Sequence, residues 1–160
     1  MRMTFATLTL LATMSTYCLA EEKADLRKLV DDPGAYVSKR IRVASISCVD
    51  DPKGGYVCMR TVGGQILRIQ AEALGAGTEM GIAERLLGDC KGTANLQRTA
   101  CRVDAEIEPS SGKRDVMDTP GGSMPVTIVE AVDIEMYAIA SPRRNRDVQL
   151  PSGSASRRAP

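Results

Sequence analysis

The 160-residue chain has no histidine, no tryptophan, one phenylalanine and four tyrosines. Without histidine it cannot run Ser-His or Cys-His nucleophilic chemistry, and it lacks the commonest metal ligand. No CxxC pair occurs, so neither a thioredoxin-like redox motif nor a common zinc spacing is present. The formal charge is only +1, so no bulk field draws the chain to nucleic acid or membranes. No apolar run reaches the roughly 20 residues that a membrane-spanning helix needs. P-loop, dinucleotide-binding and EF-hand signatures are missing as well. A composition of 43% hydrophobic and 26% charged residues is that of an ordinary globular chain.

The N-terminus has the character of an address. Residues 1–20 read MRMTFATLTLLATMSTYCLA: a basic start at Arg2, a short apolar run from Phe5 to Met14, then small residues at Cys18 and Ala20. This pattern predicts a secretory signal peptide cut before Glu21, and hence an exported, periplasmic or secreted protein. Tyr17 before Cys18 departs from the small residue of a bacterial lipoprotein signal. Four cysteines remain after cleavage: Cys48, Cys58, Cys90 and Cys101. An even number in an exported chain implies disulfides, with three pairings formally open. Cys48–Cys58 and Cys90–Cys101 are favoured because each pair brackets a short polar stretch.

Along the chain, residues 22–32 read as a short helix with Leu26, Leu29 and Val30 on one face, stopped by Asp31-Asp32-Pro33-Gly34. Residues 39–50 read as a long strand whose apolar parity switches from Ile41 and Val43 to Ala44, Ile46 and Cys48. That switch predicts a bulge near Ala44-Ser45. After an Asp51–Gly55 turn, strands at 56–62 and 66–73 meet at Gly63-Gly64. Matching apolar faces favours a three-residue loop, Met59 opposite Ile69, and puts Arg60 beside Arg68. A helix is expected over 79–90, capped by Thr78, with Met80, Ala83, Leu86, Leu87 and Cys90 as its apolar stripe. Residues 101–108 alternate, Cys101, Val103, Ala105 and Ile107 inward and Arg102, Asp104, Glu106 and Glu108 outward. A long loop is expected at 109–125. A last strand follows at 126–137, with Val132, Ile134 and Met136 inward. Residues 141–160, rich in Arg, Ser and Pro, are expected to form a disordered tail. Residues 21–140 form one domain with 15 basic and 19 acidic residues, whereas the tail holds five arginines and one acid.

Five strands with one helix between the third and fourth give a mainly β fold, the five-stranded Greek-key barrel of the OB type, preceded here by a short N-terminal helix. The lead-in LVDDPGAYVSKRIRVASISC resembles that of bacterial OB-fold modules, and the layout of residues 24–137 is similar to tRNA-anticodon-binding-like domains of short exported bacterial proteins. Such modules often carry glycine at the bend of the first strand, where this chain has Ala44-Ser45.

OB-folds bind on strands two and three and with the flanking loops. Those parts supply Tyr56, Arg60, Arg68, Gln70, Lys53, Lys113 and Arg114 as the candidate ligand-binding set. No catalytic group, cofactor or metal ligand is assigned. Ser110-Ser111-Gly112-Lys113 matches S-x-x-K only formally, because the enzymes that use it open a helix there. The reading is a non-enzymatic binding module for a protein or anionic partner. The alternatives are weak single-stranded nucleic-acid or polyanion binding, for which aromatics are scarce, and a small histidine-free hydrolase using carboxylates.

Overall fold

The computed structural model describes residues 22–139; the expected signal peptide (1–20) and the expected tail (141–160) lie outside the described residues. The chain opens with a short strand β1 (Glu22–Lys23) and helix α1 (Leu26–Asp31). Asp25 caps α1 by accepting from Arg27 N at 3.1 Å. Asp32 then caps a 3₁₀ turn (Pro33–Tyr36) by accepting from Ala35 N. The expected helix is thus shorter, because Glu22 and Lys23 pair in parallel with Ile41 and Arg42.

Five further strands close the barrel: β2 (Ile41–Asp50), β3 (Tyr56–Val62), β4 (Gln65–Leu74), β5 (Arg102–Thr119) and β6 (Gly122–Tyr137). Their order is β2-β3-β4-β6-β5, with β5 returning to β2, and β4 runs parallel to β6. A helix, α2 (Met80–Leu87), joins β4 to β5. This is a mainly β, OB-type Greek-key barrel with a helix between its third and fourth barrel strands.

The bend in β2 falls where the parity switch requires it. The β2–β5 register slips between Val43 and Ile46, and Ser45 adopts φ 52°. Ile41 and Val43 before the slip, and Ile46 and Cys48 after it, are all buried. One extra residue therefore turns both halves of the strand toward the same core.

The β3–β4 register differs from the expectation. Gly63 and Gly64 have φ 58° and 84°, as a two-residue type I′ turn demands, and Met59 lies opposite Arg68, not Ile69. Arg60 consequently pairs with Leu67 and is not a cross-strand neighbour of Arg68. Turn chemistry set this register, and apolar matching did not.

The expected loop at 109–125 is instead ladder. β5 and β6 pair from Lys113↔Ile128 out to Thr119↔Gly122, turning at Pro120-Gly121. Of the Pro and Gly residues that suggested a loop, Pro109 sits at the register slips, Gly112 at a close approach (a Cβ there would lie 2.6 Å from Pro33 Cβ), Pro120 to Gly122 at the hairpin turn, and Pro125 opposite Val116 within the ladder. Opposite these slips the parity of β6 shifts between Ala131 and Ile134, so Val132 is 65% exposed, not inward.

In α2 the buried residues are Ile82 and Leu86, while Met80 and Leu87 are exposed. Thr78 does not cap it; its hydroxyl accepts from Met136 N. α1 buries Leu29 and Val30, and Thr127 Oγ1 donates to the Val30 carbonyl at 2.9 Å. Disulfides join Cys48 to Cys58, directly across β2–β3, and Cys90 to Cys101.

Candidate binding face

Cross-strand partners in a sheet project on the same side. The registers therefore define a transverse row on the outer face: Arg102↔Ser47↔Met59↔Arg68↔Ile128↔Lys113, running over β5, β2, β3, β4, β6 and the returning arm of β5. The row holds three cations and no acid. Strands lie about 4.8 Å apart, so Arg102 and Arg68 stand roughly 14 Å apart and Arg68 and Lys113 roughly 10 Å. The described ion pairs engage Arg40, Arg42 and Arg114. Among the described residues, Arg60, Arg68, Arg102 and Lys113 have no carboxylate partner. Arg68 Nε is moreover buried without a hydrogen bond.

Arg60 belongs to the opposite parity. Its Nη1 donates to the carbonyls of Ala44 and Ser45, closing over the bulge that bends β2. The bulge leaves those carbonyls outside the ladder, and the guanidinium satisfies them.

Beyond the helix, the chain from Lys91 to Cys101 forms a strap. Asp50 N donates to the Cys90 carbonyl at 3.1 Å, and Gly92 N donates to the Asp50 carbonyl at 2.7 Å. A 3₁₀ turn (Thr93–Gln97) then crosses the outer side of β2 and β3. Between strap and sheet lies a cleft of about 490 Å³, floored by Ser47, Met59, Thr61 and Ile66 and walled by Thr93, Leu96 and Gln97. Arg60, Arg102 and Ser45 complete its rim, and no acidic residue lines it. A second concavity of about 320 Å³ adjoins α1, but there Lys28 and Lys39 face Asp31 and Asp32, so its charges cancel.

The structure divides the sequence-predicted set. Arg68 and Lys113 share the row, and Gln70 lies in the next one, opposite Val57 and Glu130. Tyr56 has the inward parity of Cys58 and packs against the core; burial, with Asp50 second, pushes its hydroxyl pKa up. Lys53 sits exposed in the β2–β3 turn. Arg114 points away from the face, to the Asp31 carbonyl and, at 3.6 Å, its carboxylate. Sequence reasoning missed Arg102, Ser47, Met59 and the strap. Arg102 was legible as an outward residue, but nothing marked which strand it would lie beside.

A second polar cluster lies on β2, β5 and β6. Asp104 and Glu106, expected in solvent, are 7% and 8% exposed. Arg40 bridges Glu106 and Glu135, and Arg42 pairs with Asp104 at 3.3 Å. Asp104 also accepts from Ser45 N at 2.9 Å, tying this cluster to the bulge. Tyr137 donates to Glu135 at 2.6 Å and lies under the Arg42 guanidinium. That hydrogen bond, with Arg40 behind it, holds the Glu135 carboxyl below its usual pKa, and its counterpart pushes Tyr137 up to about 12. These charges satisfy one another, so the cluster reads as a buttress of the barrel seam. Ser110 of the formal S-x-x-K match lies on β5 and donates to the Glu130 carbonyl, so it does not open a helix.

No protein family, curated protein or solved structure matches the chain.

Proposed function

We propose that this protein is an exported, non-enzymatic OB-type binding module that recognises an anionic group on its ligand or partner through the outer face of β2–β4. Two disulfides fit an oxidising compartment, and the leader-like residues 1–20 agree with export. One observation carries the reading. In a domain with more acids than bases, the cations of this face lack the carboxylate partners that Arg40, Arg42 and Arg114 possess. The three tyrosines of the described residues are engaged elsewhere: Tyr36 under Lys39, Tyr56 against the core, Tyr137 under Arg42. A single-stranded nucleic acid would look for stacking platforms on the face, so a protein or small anionic ligand is favoured over it. The finer resemblance to anticodon-binding-like domains belongs to this proposal too, supported by strand order.

The test is titration of the full oxidised chain with poly-L-glutamate and dextran sulfate, read by calorimetry at low and physiological salt. Arg68→Glu with Arg102→Glu is expected to weaken binding at least about tenfold, roughly 1.4 kcal/mol. Lys53→Glu, a charge reversal off the face, serves as control. Equal losses in the two variants would remove the face from the account.

A further inference from the structure

The cleft beneath the strap has a more particular chemistry than the face around it. Its volume, about 490 Å³, lies within the roughly 300–1,000 Å³ of organic-ligand pockets, well beyond what a lone inorganic anion fills. Its lining has three components. Arg60 and Arg102 supply positive charge. Arg60 spends Nη1 on the bulge carbonyls and keeps its remaining guanidinium donors unpartnered among the described residues. A guanidinium matches a planar carboxylate in bidentate fashion. Hydroxyls of Ser47, Thr61 and Thr93 and the Gln97 amide line floor and wall, and each can both donate and accept. That dual capacity suits ligand hydroxyls, which also do both. Ile66 and Leu96 add a small apolar patch, enough for the C–H side of a saturated ring. Ile66 is buried yet stands outside the main core cluster, so its packing belongs to the outer face.

From this lining we infer that the cleft is a subsite for a hydroxylated carboxylate of sugar-acid size, a uronic-acid residue standing free or ending a glycan. The inference rests on the anion-binding reading of the face and narrows it. A bare phosphate leaves the hydroxyl wall and the apolar patch unused, and a neutral sugar leaves two guanidiniums unmatched. The uronate uses all three.

Titration of the ¹⁵N-labelled, oxidised full chain with D-glucuronate, D-glucuronamide, D-glucose, trigalacturonate and inorganic phosphate tests it. Glucuronate is expected to shift the amides of residues 45–47, 61 and 93–97, and to bind at least tenfold more tightly than its amide or glucose. Arg102→Gln, an exposed position, is expected to weaken it about tenfold. Trigalacturonate tighter than glucuronate assigns the site to a glycan end, and equal affinity assigns it to the free acid. Glucuronamide or glucose binding as well as glucuronate overturns the proposal. Phosphate binding without glucuronate overturns it while leaving the anionic face standing. If none binds and poly-L-glutamate also fails, both readings fall.

Discussion

Ser45 concentrates the local problem of this barrel. Its φ of 52° is left-handed, and its N–H is held by Asp104 while its carbonyl and that of Ala44 face Arg60. A left-handed residue costs about 1–2 kcal/mol with an ordinary side chain, and more with a β-branched one. Ser45→Val is therefore expected to lower the unfolding free energy by about 2 kcal/mol, read from urea denaturation, while Ser45→Gly stays within about 1 kcal/mol of the parent. Arg60→Met, which keeps the stem and removes the donors, is expected to cost about 1–3 kcal/mol by leaving bulge carbonyls unsatisfied. If both substitutions are silent in equilibrium unfolding, the bulge is not held in the way described. The sequence made the bend legible because hydrophobic parity must switch when one residue is inserted. The identity of its clasp was not legible, since a side chain on β3 reaching back to a carbonyl on β2 leaves no periodic trace.

At the scale of elements, the turn between β3 and β4 overruled the apolar pattern. A three-residue loop would have aligned apolar faces, but Gly63 and Gly64 both accept positive φ at little cost, and the tighter turn matches strand twist. Gly63→Val with Gly64→Val is expected to destabilise the hairpin by about 2 kcal/mol or more, seen as early exchange of the 59–68 amides. The β5–β6 arm was hidden for a different reason. Proline and glycine are loop signals in isolation, yet here they mark slips in a continuous ladder and a contact between Gly112 and Pro33. The strap was hidden because residues 93–97 carry no hydrophobic period at all. Its covalent tie is strong: a loop of this length is constrained by about 3 kcal/mol in the chain-entropy view. Cys90→Ala with Cys101→Ala should reduce stability by roughly that amount and sharply raise exchange in the strap; an unchanged denaturation midpoint would contradict it.

The whole molecule separates its charges by function. On the β2–β5–β6 side, two arginines pair with three carboxylates; on the β2–β4 side, the cations of the transverse row have no carboxylate paired to them among the described residues. The first arrangement gives the fold a pH signature. Glu135 has a folded pKa below its unfolded value, so its contribution is present above about pH 4.5 and is lost as pH falls through the depressed value. Tyr137 is raised to about 12, so its contribution is complete below about pH 10 and disappears between there and about 12. Thermal melts over both ranges are expected to show two separate falls in stability, the alkaline one reduced in Tyr137→Phe to the part that Tyr56, also raised, supplies. Strand order, barrel closure and most inward residues followed from alternation and element count; Val132, Asp104 and Glu106 did not, because register slips and ion pairing decide their places. The binding face did not, because it is assembled by register, and one residue of slip decides which cations share a side.

One consequence reaches beyond stability. Cys90 and Cys101 close the strap into a covalent ring, and Asp50 clasps that ring at its root. The wall of the cleft is thus a fixed jamb and not a swinging door. Entry and departure go through a standing aperture, so exchange should proceed without a gating step for as long as no reductant cuts the ring.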